Sequence, residues 1–134
     1  MYDKIILALS LEHGFAEQAI ETAQRLGGKS AEIIALHVYE PLSGSVSTYL
    51  DDDLVQKAYT DAKRMLAARV NGVANVKPVI LKGHSSRTIT AYAAEIGADA
   101  IIVGSHKPGL RDYFLGTTAA RIVRQASCAV IVLR

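Results

Sequence analysis

Residues suited to holding an anion gather in one stretch of this chain, Val103 to Thr118. Gly104, Gly109 and Gly116 space it, Ser105, Thr117 and Thr118 supply hydroxyls, and His106, Lys107 and Arg111 supply nitrogen donors. Glycines after a strand let the backbone approach a bulky anion, and a Gly-Thr-Thr at a helix start offers free N–H groups and hydroxyls to phosphate oxygens. The chemistry indicated is the binding of a nucleotide phosphate chain, with Lys107 and Arg111 neutralising charge. The plainer alternatives are that the glycines only shape turns and that both cations sit on a solvated loop.

Other phosphate and metal chemistries fail on the residues. A Walker A loop needs Gly-Lys and then Ser or Thr, but Gly109 is followed by Leu110-Arg111. A dinucleotide fingerprint needs glycines after the first strand, where Ala8-Leu9-Ser10-Leu11 has none. A phospho-receiver needs acids at that same place. The nucleotidyl-transfer signature His-x-Gly-His is reduced to His13-Gly14. His13, His37, His84 and His106 lie in separate segments without zinc-ligand spacing. His84 and His106 could meet at strand ends, where they are expected to bond loop backbone or a ligand's sugar. No Ser-His-Asp, Cys-His or paired-carboxylate arrangement is recognisable, so no catalytic residue is assigned.

The elements that must position these groups follow from hydrophobic periodicity. Short apolar runs at Lys4–Leu9, Glu32–Val38, Val76–Leu81, Ala100–Val103 and Ala129–Leu133 predict strands. Helical spacing predicts helices over Glu12–Leu26, Leu54–Val70, a segment carrying Ile89, Tyr92, Ala93 and Ile96, and Ala119–Ala126. Gly27-Gly28 should end the first helix as a left-handed cap, and Gly97 the third. Ser85 or Ser86 should cap the third helix. Asp51-Asp52-Asp53 should complement a helix dipole rather than bind a metal. Pro78 marks its strand as an edge.

Strands that are continuously apolar are buried on both faces. Right-handed crossovers then give an α/β fold: a five-stranded, parallel, doubly wound sheet in the order 3-2-1-4-5 with helices on both faces. The strand order reverses between strands one and four, where such sheets bind ligands beyond their carboxyl ends. Ala8, Leu9 and Ser10 should line one side of that crevice and Gly104, Ser105 and His106 the other. Val38 and Gly83 should close the flank.

Composition bounds the rest. The 134 residues fit one domain, and 50% hydrophobic content can build its core. A net charge of +2 and the absence of Trp argue against a nucleic-acid platform. The one cysteine, Cys128, fits a reducing compartment and reads as a small core residue. No apolar stretch is long enough for a signal core or a membrane span, so a cytoplasmic location is expected.

Several segments together resemble the universal stress protein family over the full length. They are Lys4–Leu9, Leu36-His37-Val38, Gly83-His84 with Ile89 and Tyr92-Ala93, Ala98–His106, Leu115–Val123 and Cys128–Val132. The resemblance implies a single domain over 1–134 of the Rossmann-like, adenine nucleotide alpha hydrolase-like kind, binding ATP or AMP in a stress response. The family's nucleotide pattern is Gly, two residues, Gly, nine residues, Gly, then Ser or Thr. Gly104, Gly116 and Thr117 match it; Lys107 replaces the middle glycine, with Gly109 nearby and one residue fewer. In the crevice so placed, Ala8, Ser10 and Val38 are expected to meet adenine and ribose, and Gly104, Gly109, Gly116, Thr117 and Thr118 ribose and phosphates. Leu9, Gly83, Ser105, His106 and Lys107 are expected in the same nucleotide-binding set. Ser10 stands where family binders carry an Asp, which counts against Mg2+ assistance and allows at most slow hydrolysis. The family also implies homodimers through the last strand, Ala129–Leu133. The competing function is a dimeric stress adaptor that binds no nucleotide.

Overall fold

In a computed structural model, residues 1–11, 15–40, 52–105 and 115–134 are described. The elements are β1 (Lys4–Ala8), α1 (Ala16–Gly27), β2 (Glu32–Tyr39), α2 (Asp52–Val70), β3 (Val76–Lys82), α3 (Ser85–Ile96), β4 (Ala100–Gly104), α4 (Thr117–Gln125) and β5 (Ala129–Leu133). The strands form one sheet in the order β3-β2-β1-β4-β5, with every pairing parallel. This is the doubly wound α/β topology that the apolar runs predict.

Alternation along each strand divides the interior into two layers. Ile5, Leu7, Ile33, Ala35 and Ile102 face α1 and α2, where Ala19, Ala23, Leu66 and Val70 meet them. Ile6, Ile34, Leu36, Ile101 and Val103 face α3 and α4, where Ile89, Ala93, Ala119 and Ile122 meet them. Both faces of β1, β2 and β4 are therefore covered, which is why these strands lack polar alternation.

The two edges differ in chemistry. On β3, Lys77, Pro78 and Lys82 are exposed, and a proline or lysine there discourages further strand pairing. On β5, Val130, Ile131, Val132 and Leu133 are half-buried and carry no charge. Cys128 packs at the rim of the α3–α4 layer. Burial pushes its thiol up from the ordinary value, which disfavours the reactive thiolate.

The helix ends correct several expectations. Gly27 lies inside α1, and the cap falls on Gly28, at φ 71°, ψ −164°, outside the left-handed helical region. Gly97 does take the left-handed conformation, at φ 70°, ψ 41°. Neither Ser85 nor Ser86 caps α3: the N-cap is His84, which makes no side-chain capping bond. Instead the Glu40 carboxylate accepts from the Ser85 N–H at 2.8 Å. A carboxylate reaching the helix start from another element performs the same service and suits the dipole. α4 begins two residues before the predicted start, placing Thr117 and Thr118 in its first turn. The loop predicted from Pro41 to Tyr49, and Asp51, lie outside the described residues.

Candidate functional site

The sheet order places the carboxyl ends of β1 and β4 side by side, with Ala8 opposite Val103. The chain leaving β1 is held on both sides of Ser10. The Leu9 N–H donates to the Leu36 carbonyl at 2.9 Å, and the His37 Nδ1–H donates to the Leu9 carbonyl at 2.9 Å. The Arg69 guanidinium, from α2, donates to the Leu11 carbonyl at 2.8 Å. Ser10 itself is exposed between these anchors. The position at the strand end is thus fixed by β2 and α2, leaving the hydroxyl residue on the surface of the crevice.

The other wall is built the same way. The Ser105 N–H donates to the Leu133 carbonyl at 2.8 Å, and the Ser105 carbonyl accepts from the Gly116 N–H. That second bond ties the start of α4 to the end of β4. Gly116 is the N-cap, at φ −61°, ψ 156°, and as a glycine it has no side chain with which to cap the helix itself. Thr117 and Thr118 are both exposed there. A helix start opened by glycine, with exposed hydroxyls beside its N–H groups, suits an anion.

The glycines separate by what requires them. Gly83 has φ +146°, and a Cβ there would meet the Thr88 hydroxyl at 2.5 Å, so the scaffold alone demands glycine. It follows β3, the outermost strand on that side, two positions from β1. Gly104 is different. Its φ is not in the positive region, and a Cβ would meet the Phe15 ring at 3.6 Å, ordinary contact distance. Packing does not require glycine at 104, whose Cβ position lies against the Phe15 ring.

The structure brings Ala8, Leu9, Ser10, Gly104, Ser105, Gly116, Thr117 and Thr118 to one end of the β1–β4 boundary. Val38 sits at the end of β2, buried on the α3–α4 side of the sheet. His106, Lys107, Gly109, Arg111 and His13 lie outside the described residues. Among the described residues, no group of three or more His, Cys, Asp or Glu side chains could hold a metal ion. Among the described residues, the His84 ring contacts Ser86 and Arg121; His106, its expected neighbour, lies outside them.

Sequence reasoning missed Glu40, Phe15 and Arg121. Glu40 caps a helix that begins 45 residues away in the chain, and no local signal marks such a pairing. The Ser85 N–H and hydroxyl hold the Glu40 carboxyl below the usual carboxylate value; partial burial opposes this, and His84 and Arg121 add to it. Its contribution to stability is therefore present above the ordinary glutamate value and fades as pH falls through the lowered one. Glu40→Ala should lower thermal stability modestly at neutral pH, by less than about 1 kcal/mol because the group is exposed. Melting curves at successive pH values should show that difference shrinking towards zero in acid.

Comparison with known proteins gives the same architecture. The model of the Universal stress protein family matches residues 1–134. Universal stress protein A homolog 2 of Coxiella burnetii is 29% identical, covering 99% of this chain and 95% of its own. Universal stress protein G of Escherichia coli O157:H7 is 26% identical, with both chains covered completely. Among solved structures, hypothetical protein MJ0577 superposes with a TM-score of 0.78 at 26% identity, over 99% of this chain and 96% of that one. The universal stress protein from Archaeoglobus fulgidus in complex with dAMP gives 0.64 at 20% identity, over 99% of this chain and 98% of that one. A universal stress protein in complex with cAMP gives 0.63 at 18%, over 99% and 97%. With the whole chain matched and the strand order, crevice and helix start in place, this chain belongs to the universal stress protein family.

Proposed function

We propose that this protein binds an adenine nucleotide, ATP or AMP, in the crevice between β1 and β4, as a nucleotide-dependent regulator in a stress response. The observation that carries this reading is the start of α4, opened by Gly116 and tethered through it to the end of β4 where the strand order reverses. The N–H groups and hydroxyls of Thr117 and Thr118 would take phosphate oxygens. Gly104, which packing does not require to be glycine, would let the ribose or phosphates lie against the backbone. Ser10 and Ala8 would meet the ribose, and Val38 the base. His106, Lys107 and Gly109 complete the proposed set. Relatives of the same fold are known in complex with dAMP and cAMP, which supports the nucleotide class. The donors described suit a phosphate chain, while Ser10 offers no charge to a cation, so Mg2+ is not required by this reading.

The chain is read as one domain, cytoplasmic, pairing with a second copy through β5. The uncharged, half-buried β5 edge favours that partner, and no described helix is long and apolar enough to cross a membrane. Mass spectrometry of the untreated purified protein should find adenine nucleotide, and calorimetry of stripped protein should show saturable binding of ATP or AMP. Absence of both would leave the dimeric adaptor as the better account. Sedimentation analysis reports the copy number independently of either result.

A further inference from the structure

The polar cluster beside the site has its own logic. The Arg121 guanidinium on α4 reaches His84 Nε2 at 3.2 Å, at the start of α3. Arginine has only donors, so Nε2 must accept, and the imidazole must be neutral with its proton on Nδ1. Nδ1 lies 3.3 Å from the hydroxyl of Ser86, whose side chain is buried at 1% exposure. That hydroxyl accepts from Nδ1–H. The ring is therefore held from both sides in one tautomer. Among the described residues, Glu40 after β2 interacts electrostatically with both His84 and Arg121; on His84's own helix, Arg87 is exposed.

Protonation of His84 cannot leave this arrangement intact. The second ring proton removes the acceptor that the ring offers Arg121 and sets two cations face to face. The imidazolium then has Glu40 as its natural partner, and Arg121 is released. Arg121 stands four residues after Thr117 on the same face of α4, with Cβ atoms about 5–6 Å apart. Helical side chains lean towards the amino end, so a released guanidinium points to the first turn of α4.

We propose that Arg121 is a phosphate ligand held in reserve, restrained by neutral His84 and freed towards the α4 amino end when His84 takes up a proton. This deepens the nucleotide reading and rests on it. An arginine is suited to the role because its guanidinium donates to phosphate through more than one N–H. Binding of adenine nucleotide would then strengthen in acid through one side chain.

The test measures ATP and AMP affinity by calorimetry at about pH 8 and about pH 5.5. Wild type and Arg121→Gln are compared at each pH, so that titration of the nucleotide itself cancels. Their affinity ratio should be close to one at the higher pH and rise about tenfold at the lower, the scale of one charge-assisted hydrogen bond. His84→Ala should show the raised affinity at both pH values. His84→Gln, which keeps an acceptor but cannot titrate, should hold the ratio near one throughout. Imidazole and guanidinium nitrogen resonances should report loss of the His84–Arg121 bond on acidification before any nucleotide is added. A flat ratio, with nucleotide bound by both proteins, overturns the reserve-ligand role while leaving the nucleotide site standing. No binding by either protein at either pH overturns both.

Discussion

Gly116→Val should weaken ATP and AMP binding by about 10- to 100-fold while the protein still folds. At φ −61°, ψ 156° the backbone of residue 116 is open to any L-residue, so a valine brings bulk without strain. That bulk stands over the N–H groups that open α4. Losing one charge-assisted hydrogen bond to phosphate costs about 1.5–3 kcal/mol, which sets the range. Titration calorimetry gives the affinity, and circular dichroism with a melting curve shows whether the fold is kept. The Thr117→Ala, Thr118→Ala double variant should lose less, because it removes hydroxyls and leaves the N–H groups in place. Unchanged affinity in both variants would move the phosphates away from α4.

Gly27→Ala should destabilise the protein by about 3 kcal/mol, the upper end of what overpacking costs. In an ordinary helix this exchange stabilises by about 1 kcal/mol, because alanine restricts the unfolded chain. Here a Cβ would stand 2.3 Å from the Ala31 Cβ, 2.9 Å from the Tyr2 carbonyl oxygen and 3.2 Å from the Ile5 side chain. The last turn of α1 is pressed onto the amino ends of β1 and β2, and two of those three neighbours are backbone or fixed by it. Chemical denaturation should show the loss as a lower midpoint with an unchanged slope. A variant as stable as the parent would mean that α1 can tilt away without cost.

These two glycines show what a sequence does and does not disclose. The apolar runs mark the five strands, most plainly β1, β2 and β4, which are buried on both faces, and crossover handedness then orders them. The predicted order 3-2-1-4-5 is the one found. The start of α4 was legible for a local reason: Gly116-Thr117-Thr118 is a helix opening in itself. Gly27 was misread as a cap because its true constraint comes from Tyr2 and Ala31, which are invisible to a local window. Ser85 and Ser86 matched the capping pattern, yet Glu40 took that place from β2. The lapses all lie in tertiary contacts between segments far apart in the chain. The site's backbone frame could be read in advance, but the partners of Arg121 and His84 could not, since Arg121 lies 37 residues beyond His84.

The unlike rims of the sheet limit what the molecule can build. Lys77, Pro78 and Lys82 repel a newcomer along β3, whereas the β5 rim carries no such deterrent. A body with one hospitable border and one hostile border can join a twin across a two-fold axis, but the pair then presents only hostile borders to the outside. Under the proposed pairing through β5, edge-to-edge growth of this sheet would end at the pair.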